Sequence, residues 1–286
     1  MKHNRTIFIT SAIFLFGIVG ALINITHDGL WNDEACTALL MRFSFADLLT
    51  NLQLDAHPPL YFVGVKAFTI LFGDSLIVMR LFSVLGLIAL ALLGLGPIKR
   101  NFGTNNGLIF SFLCFFLPGS VSFVQEARMY TWTCFFITGM VLYGYSAIKS
   151  NKQKDWLIYA VFSLGSIYVH IYGLIIFLVF SCILAGWMYF CQKSSAKYFI
   201  ICTGIILTLY IPWLHVTIGQ ATRASQSPWY VKTSIPQIAA SLLILFSDRF
   251  LIINFIPAVL LTFIISYYLL FRGVLRAWVE SKVSLP

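Results

Sequence analysis

The run Leu60-Tyr61-Phe62-Val63-Gly64-Val65-Lys66-Ala67-Phe68-Thr69-Ile70-Leu71-Phe72 decides how this chain meets a membrane. Its 13 residues make a helix about 20 Å long. A bilayer core is about 30 Å thick and takes about 20 apolar residues to cross. Lys66 stands in the middle, and a lysine at mid-bilayer costs at least about 2.5–3.5 kcal/mol on the insertion scale. The run is therefore expected to lie on the membrane or enter it partway. A second short run, Ile235 to Phe246, ends at Asp248-Arg249 and is expected to do the same.

Working outward, apolar runs long enough to span lie at about 7–26, 77–97, 107–124, 130–148, 156–170, 172–191, 197–214 and 251–271. Of the 286 residues, 59% are hydrophobic and 10% charged, against about 25% charged in a soluble domain. Mean hydropathy is +0.89. The expectation is an all-α polytopic membrane protein with about eight transmembrane helices plus two short membrane-surface helices. It forms a single transmembrane domain over 1–286. Residues 27–76 are the outer loop that carries the acidic motif, and 215–250 a second outer loop. The first run follows Met1-Lys2-His3-Asn4-Arg5 and is long for a signal peptide, so it is taken as an uncleaved first helix. No internal repeat or soluble domain is visible.

Charge tests this topology. With the N-terminus inside, the inner loops hold Lys2, Arg5, Lys99, Arg100, Lys149, Lys152, Lys154, Lys193, Lys197, Arg272, Arg276 and Lys282 out of 19 basic residues. Of the ten acids only Asp155 and Glu280 fall inside. If residues 60–72 spanned, Lys99, Arg100 and the Lys149–Lys154 cluster would face outward, against the positive-inside rule. The net charge of +9 is thus explained by topology, and no nucleic-acid partner is implied. The six cysteines show neither a CxxC pair nor a Cys/His metal spacing, and all but Cys36 lie in apolar segments.

Three polar clusters then share the outer side: Leu30-Trp31-Asn32-Asp33-Glu34-Ala35, Asp55-Ala56-His57-Pro58-Pro59, and Gln125-Glu126-Ala127-Arg128-Met129-Tyr130. His170, in the turn His170-Ile171-Tyr172-Gly173, joins them, as does the loop from His215 to Ser234 with Trp229 and Tyr230. Asp33 and Glu34 suit a helix N-terminus. That accounts for one acid better than for the pair, which suits a general base with a second carboxylate that orients it or binds substrate. The stretch from Asp55 to Pro59 is also an ordinary helix start. Arg80 lies about one and a half turns into the second span, where it either snorkels to the interface or serves a site. Glu126 and Arg128 either pair with each other or serve a site. A planar, always charged arginine suits a phosphate.

In order and spacing, Trp31-x-Asp33-Glu34-Ala35, Asp55-x-His57-Pro58-Pro59-Leu60-Tyr61, Leu71-Phe72-Gly73 with Arg80-Leu81, and Gln125-Glu126-Ala127-Arg128-Met129-Tyr130 resemble the GT-C glycosyltransferases. The nearest branch holds protein O-mannosyltransferases and the lipid A aminoarabinose transferase. The likeness covers about residues 5–235. It implies an inverting transferase that takes a sugar from a polyprenyl-phosphate carrier to a lipid, glycan or protein acceptor on the extracytoplasmic face. Asp33 would be the catalytic base and Glu34 its acidic neighbour. Arg128 and Tyr130 would face the donor phosphate, with His57, Arg80, Glu126 and His170 as further substrate-binding candidates. No cofactor is certain, and a divalent metal stays open. The implied location is a bacterial plasma membrane with both termini cytoplasmic. Family members are usually longer, with more spans, whereas Arg272–Pro286 looks here like a cytoplasmic tail. Two other classes stay open: a transporter or flippase of lipid-linked sugars, and a non-catalytic membrane partner.

The topology makes a direct prediction. With background cysteines removed, single cysteines at Thr104 and Asn151 should resist a membrane-impermeant thiol reagent in intact cells. Labelling of both from outside would overturn the assignment of residues 60–72.

Overall fold

A computed structural model describes residues 2–23, 25–26, 29–190 and 196–226. By packing, Leu117–Ser122 belongs to one compact unit and the other described residues to a second, which carries the helix bundle and the polar clusters. The described elements are helical: α1 (Lys2–Leu22), α2 (Asn32–Leu40), α3 (Phe45–Leu52), α4 (Leu60–Phe72), α5 (Leu76–Leu93), α6 (Lys99–Phe102), α7 (Thr104–Phe116), α8 (Pro118–Val124), α9 (Tyr130–Ser150), α10 (Gln153–Val169), α11 (Ile171–Phe190) and α12 (Ala196–Ser225). A kinked π-turn, Gly94–Ile98, joins α5 to α6. Five helical segments are long and apolar enough to cross a membrane: Asn4–Leu22, Leu76–Phe102, Tyr130–Ser150, Ile171–Phe190 and Ala196–Arg223. Counting the broken pair α7 and α8 as one span makes six. The expected span at 156–170 is α10, which at 17 residues falls short of that length. The expected span at 251–271 and the short run at 235–246 lie outside the described residues.

The short run 60–72 forms α4 with the bounds expected of it. Its buried residues Tyr61, Phe62, Val65 and Thr69 follow helical spacing, and most of them enter a core with Leu48, Leu52, Met79 and Met129. Lys66 lies off that face and donates to the Met41 carbonyl at the end of α2 at 2.7 Å. The ammonium thus gains a local acceptor. Gly73 ends the helix with φ +94°, a conformation that other residues adopt only with strain. Ser75 then caps α5 by accepting from the Val78 N–H.

α9 packs along α5 and α10, and α10 along α11 and α12. At the end of the bundle away from the polar clusters, Arg100 pairs with Asp155 at 3.0 Å. Ser150 donates to the other Asp155 oxygen at 2.6 Å, and Asn101 reaches the Ser146 hydroxyl at 2.7 Å. α12 is longer than expected. It runs through Ser225, past His215, where the sequence suggests a loop. Its last turns are held against the α3–α4 connection, a tertiary contact that propensity does not report.

At the end that carries the polar clusters, the α1–α2 connection is fixed by Arg80. This arginine is 3% exposed and Glu34 is 0% exposed. Arg80 Nε donates to Glu34 Oε1 at 2.9 Å and Nη2 to Oε2 at 2.7 Å, a bidentate pair. Arg80 also donates to the Ile25 carbonyl at 2.7 Å and the Gly29 carbonyl at 3.3 Å. Glu34 Oε1 in turn accepts the Ala127 N–H at 2.8 Å. One ion pair thus ties α2, α5, the α1–α2 connection and the α8–α9 turn together. Losing one member of a buried pair strands the other charge and typically costs about 3–5 kcal/mol. Arg80→Met should accordingly lower the thermal unfolding midpoint of the detergent-solubilised protein sharply. An unshifted midpoint would show that the pair is dispensable.

Candidate active site

Each polar cluster reaches this end of the bundle for a local reason. α2 begins at Asn32, so Asp33 and Glu34 occupy its first turn, where acids interact well with the helix dipole. Successive residues on a helix point about 100° apart, so the neighbouring carboxylates part company. Glu34 turns inward to Arg80. Asp33 keeps 37% of its side chain exposed and lies 3.6 Å from Arg128 Nη2 through Oδ2.

Arg128 sits in the tight α8–α9 turn, where its N–H donates to the Glu126 carbonyl at 2.8 Å. Its own carbonyl accepts from Ser83 at 3.1 Å, and the Ser83 hydroxyl meets that of Tyr61 at 3.4 Å. The backbone of the turn is therefore anchored to α5 and α4. The Arg128 side chain is 5% exposed, and its Nε has no hydrogen-bond partner among the described residues. Tyr130, in the same junction, packs edge-on against Phe123. Glu126 is half-buried in this junction. Among the described residues, the ion pair of Arg128 is with Asp33, from a cluster distant in sequence.

His57 provides the third contact. Arg128 Nη2 lies 3.5 Å from His57 Nε2. Guanidinium can only donate, so Nε2 carries the lone pair and the imidazole proton sits on Nδ1. Nδ1 faces Asp55 Oδ1 at 3.5 Å. Burial works to raise the Asp55 carboxyl, but the His57 contact, the Ala56 N–H and Arg128 together hold it below the usual carboxylate range. The result is a chain of contacts, Asp55 to His57 to Arg128 to Asp33.

His170 stands at the α10–α11 junction with extended backbone. It meets the His57 ring edge-on at 5.2 Å and stacks on Tyr172 at 4.9 Å. Its Nδ1 accepts the Tyr172 N–H at 3.1 Å, which leaves its proton on Nε2. A side chain at Gly173 would drive its Cβ into the Ser166 carbonyl, so glycine is needed for α11 to start this close to α10. Burial, with help from His57 and Arg128, pushes the His170 imidazole down to about 4, so it is neutral at ordinary pH.

The structure brings Asp33, His57, Arg128, Tyr130 and His170 together, with Glu126 in the same junction. Glu34 and Arg80 lie one layer beneath, engaged with each other. Two contributors do not stand out in the sequence. Asp55 lies inside a motif that by itself gives it no role. Gln220 is 6% exposed and donates to the Leu52 and His57 carbonyls at 3.0 and 3.4 Å. The continued helical spacing from Tyr210 through Thr217 to Gln220 could have indicated that α12 reaches this far. Trp229 and Tyr230 lie outside the described residues. Among the described residues no group of three or more His, Cys, Asp or Glu side chains is arranged to hold a metal ion.

The state of His170 sets a pH dependence. Its folded value lies below the ordinary histidine value of 6.5, so the unfolded chain binds the extra proton first. Stability is full above about pH 6.5 and falls as pH drops toward about 4. The depressed Asp55 carboxyl acts lower, below its ordinary value of 3.8. Thermal unfolding measured from pH 7 to 4 should show this decline, and His170→Gln should flatten it. An identical slope in that variant would contradict the assignment.

No family model, curated protein or solved structure matches this chain.

Proposed function

We infer that this protein is a membrane glycosyltransferase that moves a sugar, with inversion, from a polyprenyl-phosphate carrier to an acceptor hydroxyl or amine. The observation that carries the reading is the meeting of Asp33 with Arg128. A partly exposed carboxylate faces a buried guanidinium at 3.6 Å, and the Nε–H of that guanidinium is unpartnered among the described residues. A buried donor left without a partner typically costs about 1–3 kcal/mol, so an anion arriving at Arg128 gains contacts that the resting site lacks.

The chemistry needs two groups. The acceptor oxygen or nitrogen forms a bond to the anomeric carbon from the face opposite the phosphate. The bond from that carbon to the phosphate oxygen breaks, and its electron pair leaves with the phosphate. Asp33 takes the proton released by the acceptor. Arg128, supported by Tyr130, balances the charge that grows on the leaving phosphate, an effect worth roughly 2.7–4 kcal/mol when a preorganised contact is lost. His57 meets the same Arg128 nitrogen that faces Asp33. When phosphate draws Arg128, the 3.6 Å pair opens and the Asp33 carboxylate is freed to act as base. Glu34 acts through position alone in this scheme, because both its oxygens are engaged by Arg80 and Ala127. The transmembrane spans support a membrane location, and the distribution of basic residues supports an extracytoplasmic site in a bacterial plasma membrane.

A transporter reading would want ionisable groups along a path through the bundle. The site residues instead gather at one end, which favours transfer at a surface. The test uses purified protein with labelled polyprenyl-phosphate sugars, following loss of label from the carrier. Asp33→Asn should express and fold normally yet transfer roughly 10²–10⁴-fold more slowly. Near-normal transfer by this variant would remove Asp33 from the role of base.

A further inference from the structure

The last turns of α12 do more than complete a span. Gln220 Nε2 donates to the Leu52 and His57 carbonyls. One turn later on the same face, Arg223 Nη2 donates to the Gln53 carbonyl. Upstream on this helix, the Tyr210 hydroxyl meets Thr217 Oγ1 at 2.7 Å. The segment held by these contacts, residues 52–57, connects α3 to α4 and carries both Asp55 and His57. It leaves α3 through turns, with the Gln53, Leu54 and Asp55 N–H groups bonded back to Thr50, Asn51 and Leu52. Beyond it, Pro58 and Pro59 offer no N–H of their own. The outward-facing carbonyls of this segment therefore find their donors on α12.

We propose that Gln220 is a positioning residue that fixes the His57 ring, and through it the direction of the Arg128 guanidinium. The functional half of this inference rests on the proposed glycosyl transfer. The physical path is short. Gln220 holds the His57 carbonyl at 3.4 Å, and the His57 ring stands 3.5 Å from Arg128 Nη2. The ring is braced on its other side by His170. Release of the carbonyl lets the segment swing and removes the acceptor that helps to aim Arg128.

Gln220→Met keeps the length and volume of the side chain and removes the donor. Three measurements on the full-length protein in detergent decide the matter: amide hydrogen exchange, binding of farnesyl phosphate followed by tryptophan fluorescence, and transfer from a polyprenyl-phosphate sugar. The expected result is faster exchange confined to residues 52–57, with α9, α10 and α11 unchanged. Farnesyl phosphate should bind about 5- to 10-fold more weakly, as fits the loss of one or two neutral hydrogen bonds. Because Gln220 acts through His57, adding Gln220→Met to His57→Gln should cause no further loss of binding. Unchanged exchange over 52–57 overturns the proposal. So does exchange that rises across the whole bundle, which marks a purely structural role. Additive losses in the double variant overturn it as well. A wild type that binds and transfers, with a variant that matches it, defeats the proposal alone. A wild type that neither binds farnesyl phosphate nor transfers from any donor defeats the transferase reading and this inference with it.

Discussion

The buried pair of Glu34 and Arg80 is the constraint on which this end of the molecule depends. Both side chains are almost fully removed from solvent, so each ion is tolerable only because the other, and a set of backbone groups, replaces water. The guanidinium engages the carboxylate in bidentate fashion and two carbonyls of the α1–α2 connection. The carboxylate in addition accepts an N–H from the α8–α9 turn. Backbone from two otherwise separate connections is thereby fixed to α5. Asp33 precedes Glu34 and Arg128 follows Ala127, so the two proposed reacting groups are carried by the immediate neighbours of the pair.

This arrangement divides labour between adjacent residues. Glu34 gives its charge to architecture. Asp33, about 100° further round the helix, is left to face Arg128 across 3.6 Å. Contacts of 3.5–3.6 Å around Arg128 contrast with those of 2.7–2.9 Å between Arg80 and Glu34. A tight, fully satisfied arginine is suited to holding a fold, whereas a loosely held one can exchange its partners for a ligand. Both sit in a low-dielectric setting, where charge contacts are stronger than in water.

The opposite end of the bundle is stapled differently. There Arg100 is half-exposed while Asp155 is buried, and the serine and asparagine contacts complete the join. These bonds join α6, which follows α5 through the kinked π-turn, to α9 and α10. The starts of α5 and α9 and the end of α10 then arrive together at the site. His170, at the end of α10, meets His57 there. α12 supplies the remaining support through Gln220.

Several features were determined by sequence alone. The helical class, five of the apolar spans among the described residues and the bounds of α4 follow from run length and the cost of burying Lys66, which are local quantities. The distribution of lysine and arginine fixed an expected orientation, because that signal is additive along the chain. The polar clusters were also legible, since ionisable residues beside apolar helices are costly and therefore conspicuous. Which charge meets which was not legible. The short spacing of Glu126 and Arg128 suggests a local pair, yet Arg128 pairs with Asp33, and Arg80 reaches Glu34 across 46 residues. Such pairings depend on the heights and rotations of packed helices. The same limit hid Gln220, whose amide matters only because α12 continues beyond His215 to reach two carbonyls near the start of the chain. Sequence set the cost of each charged residue in an apolar chain, and only tertiary packing, by bringing distant helix ends within about 3–4 Å, a hydrogen-bonding or ion-pairing distance, decided what met that cost.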